Sequence, residues 1–153
     1  MKFKINKKLI FYILTPVIIG FIGNLLGGNT DIYQKINTPV FAPPKILFPI
    51  VWSILYVLMG ISAYLVSREK DSSYALKVYY IQLGINALWS LLFFRFNLFL
   101  VSSIWLFILL TTVIYMCILF YSKNKTAFYL QIPYIIWLAF ALLLNISIYV
   151  LNA

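Results

Sequence analysis

Three groups of side chains in this 153-residue sequence could do chemistry, and each repeats at helical spacing inside an apolar stretch. Gln82, Asn86 and Ser90 recur at i, i+4 and i+8, with Trp89 three residues after Asn86, so they share one helix face. Trp137, Ala141 and Asn145 recur at the same spacing, with Tyr134 a turn before Trp137, and Ala141 leaves a gap between larger neighbours. Trp52, Tyr56, Met59 and Gly60 form a third face, aromatic and then small. Amide and hydroxyl groups are costly against hydrocarbon, so the first face must turn toward other helices or toward a cavity. Helix–helix hydrogen bonding and ligand contact both account for it. Aromatic stripes serve packing more often than pockets. Three such faces in one small chain nevertheless point to a shared apolar cavity with a few polar anchors.

The residues that are missing narrow the chemistry further. There is no histidine, which removes imidazole acid–base catalysis, His metal sites and His haem ligation together. The single cysteine, Cys117, lies in an apolar run and reads as a small buried hydrophobe with no disulfide partner. No Ser-His-Asp set, metal cluster or phosphate-cradling glycine loop occurs. No charged residue falls deep in an apolar run, so proton relays, gating charges and carboxylate filters have no support. Conventional catalysis, a bound metal and a required cofactor are therefore not expected.

The elements that must position these faces follow from composition. Hydrophobic residues make up 64% of the chain and charged residues 10%, against roughly 45–50% and about 25% in soluble domains. Five apolar runs stand out, at 9–27, 46–66, 76–94, 99–121 and 127–151. Each is near the roughly 20 residues that a hydrocarbon core demands, and none alternates as a barrel strand would. The expected fold is an all-α integral membrane protein, a single domain built as a five-transmembrane-helix bundle. The first run follows Lys2, Lys4, Lys7 and Lys8 as a signal peptide would. It is longer than a usual signal core and lacks a small-x-small cleavage site, so it reads as a retained helix. Within it, Pro16, Gly20, Gly23 and Gly27 suggest a kink and close helix packing.

The net charge of +9 would suit nucleic acid, but the basic residues sit between the runs and read as topology signals. Nine Lys and Arg fall on the N-terminal side and three, Lys35, Lys45 and Arg95, on the other. The positive-inside rule then predicts a multi-pass cell-membrane protein with its N-terminus cytoplasmic and its C-terminus outside. Nucleic acid is not an expected partner; the lipid bilayer is. Connections are short except the first, residues 28–45, which is rich in aromatic residues and proline and reads as an ordered cap on the outer face. No internal repeat supports an inverted-repeat transporter.

Longer motifs carry a resemblance. Pro39-Val40-Phe41-Ala42-Pro43-Pro44, continuing through Phe48, Val51-Trp52, Leu55-Tyr56 and Met59-Gly60, resembles the signature of the TspO/MBR family. This family includes the tryptophan-rich sensory proteins and the translocator protein, or peripheral-type benzodiazepine receptor. Gln82-Leu83, Asn86, Trp89-Ser90 and Phe93-Phe94 agree with it, as do Pro133-Tyr134, Trp137, Ala139-Phe140-Ala141 and Leu144-Asn145. The match runs in order over nearly the whole chain, which reads as a bacterial member. The resemblance implies a five-helix bundle, often a homodimer, with a cavity beneath the long first loop. It implies binding of porphyrins such as protoporphyrin IX or haem, and of benzodiazepine-type ligands. Some bacterial relatives are reported to degrade porphyrin in light with cavity tryptophans, which would give Trp52 or Trp137 a catalytic part here; transport of such ligands is a further alternative.

Carried over by position, the ligand-binding residues would be Trp52, Asn86, Trp137, Ala141 and Leu144, with Tyr56 on the same face as Trp52. Trp89 and Asn145 would stand beside them. Tyr33, Pro39, Phe41, Pro43 and Pro44 would form the lid. Three positions depart from the family pattern. Phe41 and Ile32 replace common tryptophans of the lid, and Trp105 stands where many members have aspartate, so a polar contact common in the family is expected to be missing. The C-terminal segment Tyr149 to Ala153 has no Lys or Arg, so the cholesterol motif is incomplete and sterol specificity is not expected.

Overall fold

The computed structural model describes residues 6–153; Lys2 and Lys4, two of the charges used to orient the chain, lie outside the described residues. All regular structure among the described residues is helical, in the order α1 (Lys7–Gly27), α2 (Ile32–Lys35), α3 (Leu47–Ser67), α4 (Ser73–Ser90), α5 (Phe99–Lys123) and α6 (Lys125–Asn152). A π-helical turn, Leu91–Arg95, continues α4. The short α2, inside the long first connection, has no counterpart among the apolar runs, because four residues are too few to show a period.

Helix ends are set by polar residues rather than by the limits of hydrophobicity. The Asn6 side chain accepts from the backbone N–H groups of Lys8 and Leu9, so α1 starts two residues before the apolar run does. Asn124 closes α5, its N–H donating to the Phe120 carbonyl at 2.7 Å, and opens α6, its side chain accepting from the Ala127 N–H at 3.0 Å. One residue thus makes the whole turn between the two longest helices. Asp71 and Asn97 take left-handed φ values of 52° and 54° in the other two tight connections, a conformation their short polar side chains tolerate.

The five long helices stand in a ring in which α1 packs on α3, α3 on α6, α6 on α5, α5 on α4 and α4 again on α1. Glycines allow the closest approaches. A Cβ on Gly60 of α3 would lie 2.5 Å from the Ile13 Cα and 2.6 Å from the Tyr12 carbonyl oxygen of α1. Gly23 and Gly27 of α1 meet the α4 backbone at Ala87 and Ser90 in the same way. The outward faces are apolar, with Phe11, Leu25, Ile118, Tyr129 and Ile136 all exposed, the pattern of a surface that meets lipid.

Among the described residues four helices, α1, α3, α5 and α6, are long and apolar enough to cross a bilayer. Four of the five expected spans meet that criterion. The third run is the one that drops out: α4 carries Lys77, Gln82 and Asn86 within its 18 residues, and its last apolar residues belong to the π-helical turn. The molecule is an all-helical, multi-pass membrane protein.

Candidate functional site

The ring is not equally filled along its length. At the end that carries the first connection, α1, α3, α4 and α6 diverge around a cavity of about 1010 Å³. Trp52 and Tyr56, one turn apart on α3, stack with ring centroids 5.5 Å apart and planes at 26°. Trp137 meets Trp52 edge-on at 6.4 Å and Phe48 at 5.8 Å, so three successive turns of α3 and one of α6 contribute to one aromatic wall. Trp52, Tyr56, Asn86, Trp89, Trp137, Ala141, Leu144 and Asn145 all line this one cavity.

Its polar groups are arranged in two sets. In the first, Tyr56 Oη donates weakly to Asn86 Oδ1 at 3.5 Å, Asn86 Nδ2 donates to Tyr134 Oη at 2.8 Å, and Tyr134 Oη donates to Gln82 Oε1 at 2.8 Å. This chain crosses the centre of the ring from α3 through α4 to α6 and forms the floor. One turn below it, Tyr79 and Gln131 also bury polar atoms that have no protein partner. In the second set, Trp89 Nε1 donates to Asn145 Oδ1 at 3.0 Å, and Asn145 Nδ2 reaches the Phe99 carbonyl at 3.0 Å and Ser103 Oγ at 2.7 Å. Ser102 Oγ donates to the same Asn145 oxygen at 3.2 Å. The Asn145 amide is therefore occupied within the fold, tying α4, α5 and α6 together. The Trp137 Nε1 is different: it is buried on a cavity-lining side chain with no partner among the described residues.

The π-helical turn belongs to this site. Its wider winding brings the consecutive residues Phe93 and Phe94 both to the cavity, where Trp89 stacks on Phe93 at 5.1 Å and 26°. At the missing aspartate position, Trp105 Nε1 donates to the Ile85 carbonyl at 2.7 Å, so an indole supplies a polar contact between α5 and α4.

The first connection covers the mouth as an ordered segment. Tyr33 Oη donates to the Pro43 carbonyl at 2.9 Å and its ring meets Phe48 at 5.2 Å; burial pushes this phenol above its ordinary pKa. Asn37 and Asn152 exchange hydrogen bonds of 3.0 and 2.8 Å, fastening the cover to the last turn of α6. Of the five expected lid residues, Tyr33 lines the cavity, whereas Pro39, Phe41, Pro43 and Pro44 do not. Phe41 lies on the outer side, half exposed, against Phe140 at 6.2 Å. Thr30, Gln34 and Lys45 complete the rim. An ion pair of 2.8 Å joins Lys45 to Asp31, and the Lys45 ammonium holds the Asp31 carboxyl below its ordinary pKa.

The contribution of α1 was not visible in the sequence faces. Val17, Gly20, Phe21 and Asn24 form one wall. A Cβ on Gly20 would lie 2.3 Å from the Tyr56 ring, so the glycine lets that ring keep its place and a larger residue would push it into the cavity. The one available signal was Asn24, an amide in an otherwise apolar run and four residues after Gly20. Among the described residues no cluster of His, Cys, Asp or Glu could hold a metal ion.

Comparisons agree with this architecture. The chain is 35% identical over 150 residues to the tryptophan-rich protein TspO of Archaeoglobus fulgidus, covering 95% of this chain and 97% of that one. It is 34% identical over 124 residues to protein CrtK of Rhodobacter capsulatus, covering 78% of each. The translocator protein of Sus scrofa is 28% identical over 145 residues, covering 90% of this chain and 86% of that one. The sequence profile of the TspO/MBR family matches residues 12–151, which include every residue that lines the cavity, and the chain belongs to that family.

Proposed function

We propose that this protein is a membrane receptor-like protein that holds a flat hydrophobic ligand, a porphyrin such as protoporphyrin IX or haem or a benzodiazepine-type compound, in the cavity between α1, α3, α4 and α6. The observation that carries this reading is the aromatic wall of Trp52, Tyr56 and Trp137 around a space of about 1010 Å³. Pockets for large organic ligands run to about 1,000 Å³, mostly apolar with a few polar groups. A porphyrin offers a broad π-face to such a wall, and aromatic pairs contribute about 0.5–1.5 kcal/mol beyond area burial. The unpartnered Trp137 N–H and the Asn86 amide are suited to orient it.

In this reading α4 crosses the bilayer as the fifth span. Its helix and π-helical turn together run from Ser73 to Arg95, in the same ring as the four apolar helices. The N-terminus is cytoplasmic and the cover faces outward, with the protein working as a homodimer. A second reading has a specific geometric support. Trp52 and Trp137 touch each other as well as the cavity, so an excited porphyrin would have two adjacent indoles as electron donors for light-dependent degradation.

Titration of the purified protein with protoporphyrin IX, followed by tryptophan fluorescence and then by porphyrin absorption under illumination, tests both. Saturable quenching supports binding, and its absence removes every porphyrin reading. Binding without protein-dependent bleaching removes the enzyme. Trp137→Phe is expected to weaken binding by about threefold or more, the loss of one hydrogen bond and part of a ring contact. An unchanged titration would place that indole outside the bound ligand's reach.

A further inference from the structure

The rim of the cavity has an electrostatic asymmetry that the aromatic wall does not explain. The chain contains three acidic residues, Asp31, Glu69 and Asp71. Glu69 and Asp71 lie in the connection between α3 and α4, at the opposite end of the ring from the cavity. Asp31 is the only carboxylate side chain at the covered end, and its partner is Lys45 at 2.8 Å. Lys45 lines the cavity and is the single charged residue among those lining it; Asp31 does not line it. An ammonium has three donors, and the contact with Asp31 is its one side-chain hydrogen bond among the described residues. The pair is half open to solvent, with the Lys45 and Asp31 side chains 37% and 57% exposed. Lys35, on α2, also lowers the Asp31 carboxyl but does not line the cavity.

We infer that Lys45 is an anion-docking residue that selects ligands carrying a carboxylate at one edge, and that Asp31 is the internal anion which such a ligand displaces. The inference rests on the proposed binding reading and adds a polarity to it. The apolar body of the ligand lies against Trp52 and Trp137, and its acid group meets the rim beside Thr30 and Gln34, which offer neutral hydrogen-bonding groups. Occupancy of the cavity then exchanges one ion pair for another. The bond between the start of the cover and the start of α3 opens as the ligand enters. Exchange between two carboxylates costs little, because Lys45 keeps a counter-ion throughout and desolvation is shared.

The probes are protoporphyrin IX, which has two carboxylates, and its dimethyl ester, which has none, each titrated into protein held in zwitterionic lipid nanodiscs. Lys45→Met is expected to weaken the diacid about two- to fivefold, the range for a partly exposed ion pair, and Asp31→Asn to tighten it by a similar factor. The ester should respond to neither substitution, and Lys35→Met should leave both ligands unchanged. Raising ionic strength should shrink the preference for the diacid over the ester. The inference is overturned if Asp31→Asn weakens the diacid or leaves it unchanged. It is also overturned if either substitution shifts acid and ester alike, which would mark the pair as a packing element of the cover. Binding of the ester with no dependence of the acid on Lys45 would sink the docking residue alone. Failure of both porphyrins to bind the unaltered protein would remove the binding reading together with it.

Discussion

The two ends of the ring are built from the same five helices and do opposite things. Away from the cover, Met59, Ala63 and Val66 of α3, Tyr79 of α4, Val113, Met116 and Phe120 of α5 and Ala127 of α6 are all 0% exposed. Side chains of unequal size interdigitate there, and Gly60 brings two helix backbones together. At the covered end the large rings stack on one another, Trp52 on Tyr56 and Trp89 on Phe93, instead of filling the space between helices. Small residues at that level, Gly20 and Ala141, border open volume. The hydrogen-bonded chain through Asn86, Tyr134 and Gln82 lies at the boundary. What separates a sealed core from a container in this molecule is therefore how its aromatic residues are spent rather than how many it has.

The difference can be broken most severely from the packed end. Gly60→Val should cost about 3 kcal/mol or more, because the added atoms meet backbone that has no rotamer to change. It would be read as a lower thermal midpoint and loss of a monodisperse species. Gly84→Ala is the matched control, since nothing lies within 4 Å of the added Cβ, and it should be neutral or slightly stabilising. Equal effects from the two would mean that backbone contact between α1 and α3 does not hold the packed end.

A smaller effect is expected at the boundary. Tyr134→Phe removes the hydroxyl that accepts from Asn86 and donates to Gln82, leaving two buried amides short of a partner. A loss of about 0.6–2 kcal/mol is expected, the range for interhelical and buried hydrogen bonds. If the boundary isolates the two ends, ligand affinity should fall less than the thermal midpoint suggests. A larger loss of affinity than of stability would show instead that the floor is part of the binding surface.

The smallest change is at the cover and depends on pH. The Lys45 ammonium, hydrogen-bonded to the Asp31 carboxylate, lowers that carboxyl's pKa in the folded state. The ion pair therefore contributes fully above the unfolded carboxyl value of about 3.9 and is lost as pH falls through the lower folded value. Hydrogen exchange in the cover, corrected for intrinsic rates, should be unchanged between about pH 7 and pH 5. It should rise only in stronger acid, while the packed end stays protected. A rise between pH 7 and pH 5 would mean that another group fastens the cover.

Much of the fold was legible because membrane helices announce themselves by length and apolarity. Each of the five runs corresponds to one long helix, with ends displaced by a few residues where Asn6 and Asn124 supply caps beyond the apolar limit. The run that fails as a span by composition, α4, is the one whose polar stripe faces inward, with Gln82 at 0% and Asn86 at 7% exposure. The same polarity that marked it as interesting dilutes its hydrophobicity. The spacing of Trp137, Ala141 and Asn145 identified residues that share a cavity wall, but it could not tell that Asn145 is consumed by Trp89, Ser102 and Ser103 on other helices. Those contacts join residues more than forty positions apart and leave no local pattern. The wall from α1 was hidden for the same reason, as Gly20 acquires its meaning only opposite Tyr56. In the cover, proline and aromatic content suggested order without saying which side Phe41 would take.

The bonds between Asn37 and Asn152 span 115 positions of chain. During synthesis, Asn37 is made well before any of α4 to α6. The cover can fasten early to the start of α3, through Tyr33 on Phe48 and Asp31 on Lys45, but its tie to α6 must wait until Asn152 has been translated and inserted. The packed end can assemble as its helices arrive, whereas the tie that fastens the cover across the ring forms only once α6 is in place. A nascent chain held short of Asn152 would carry a cover fastened on the α3 side alone.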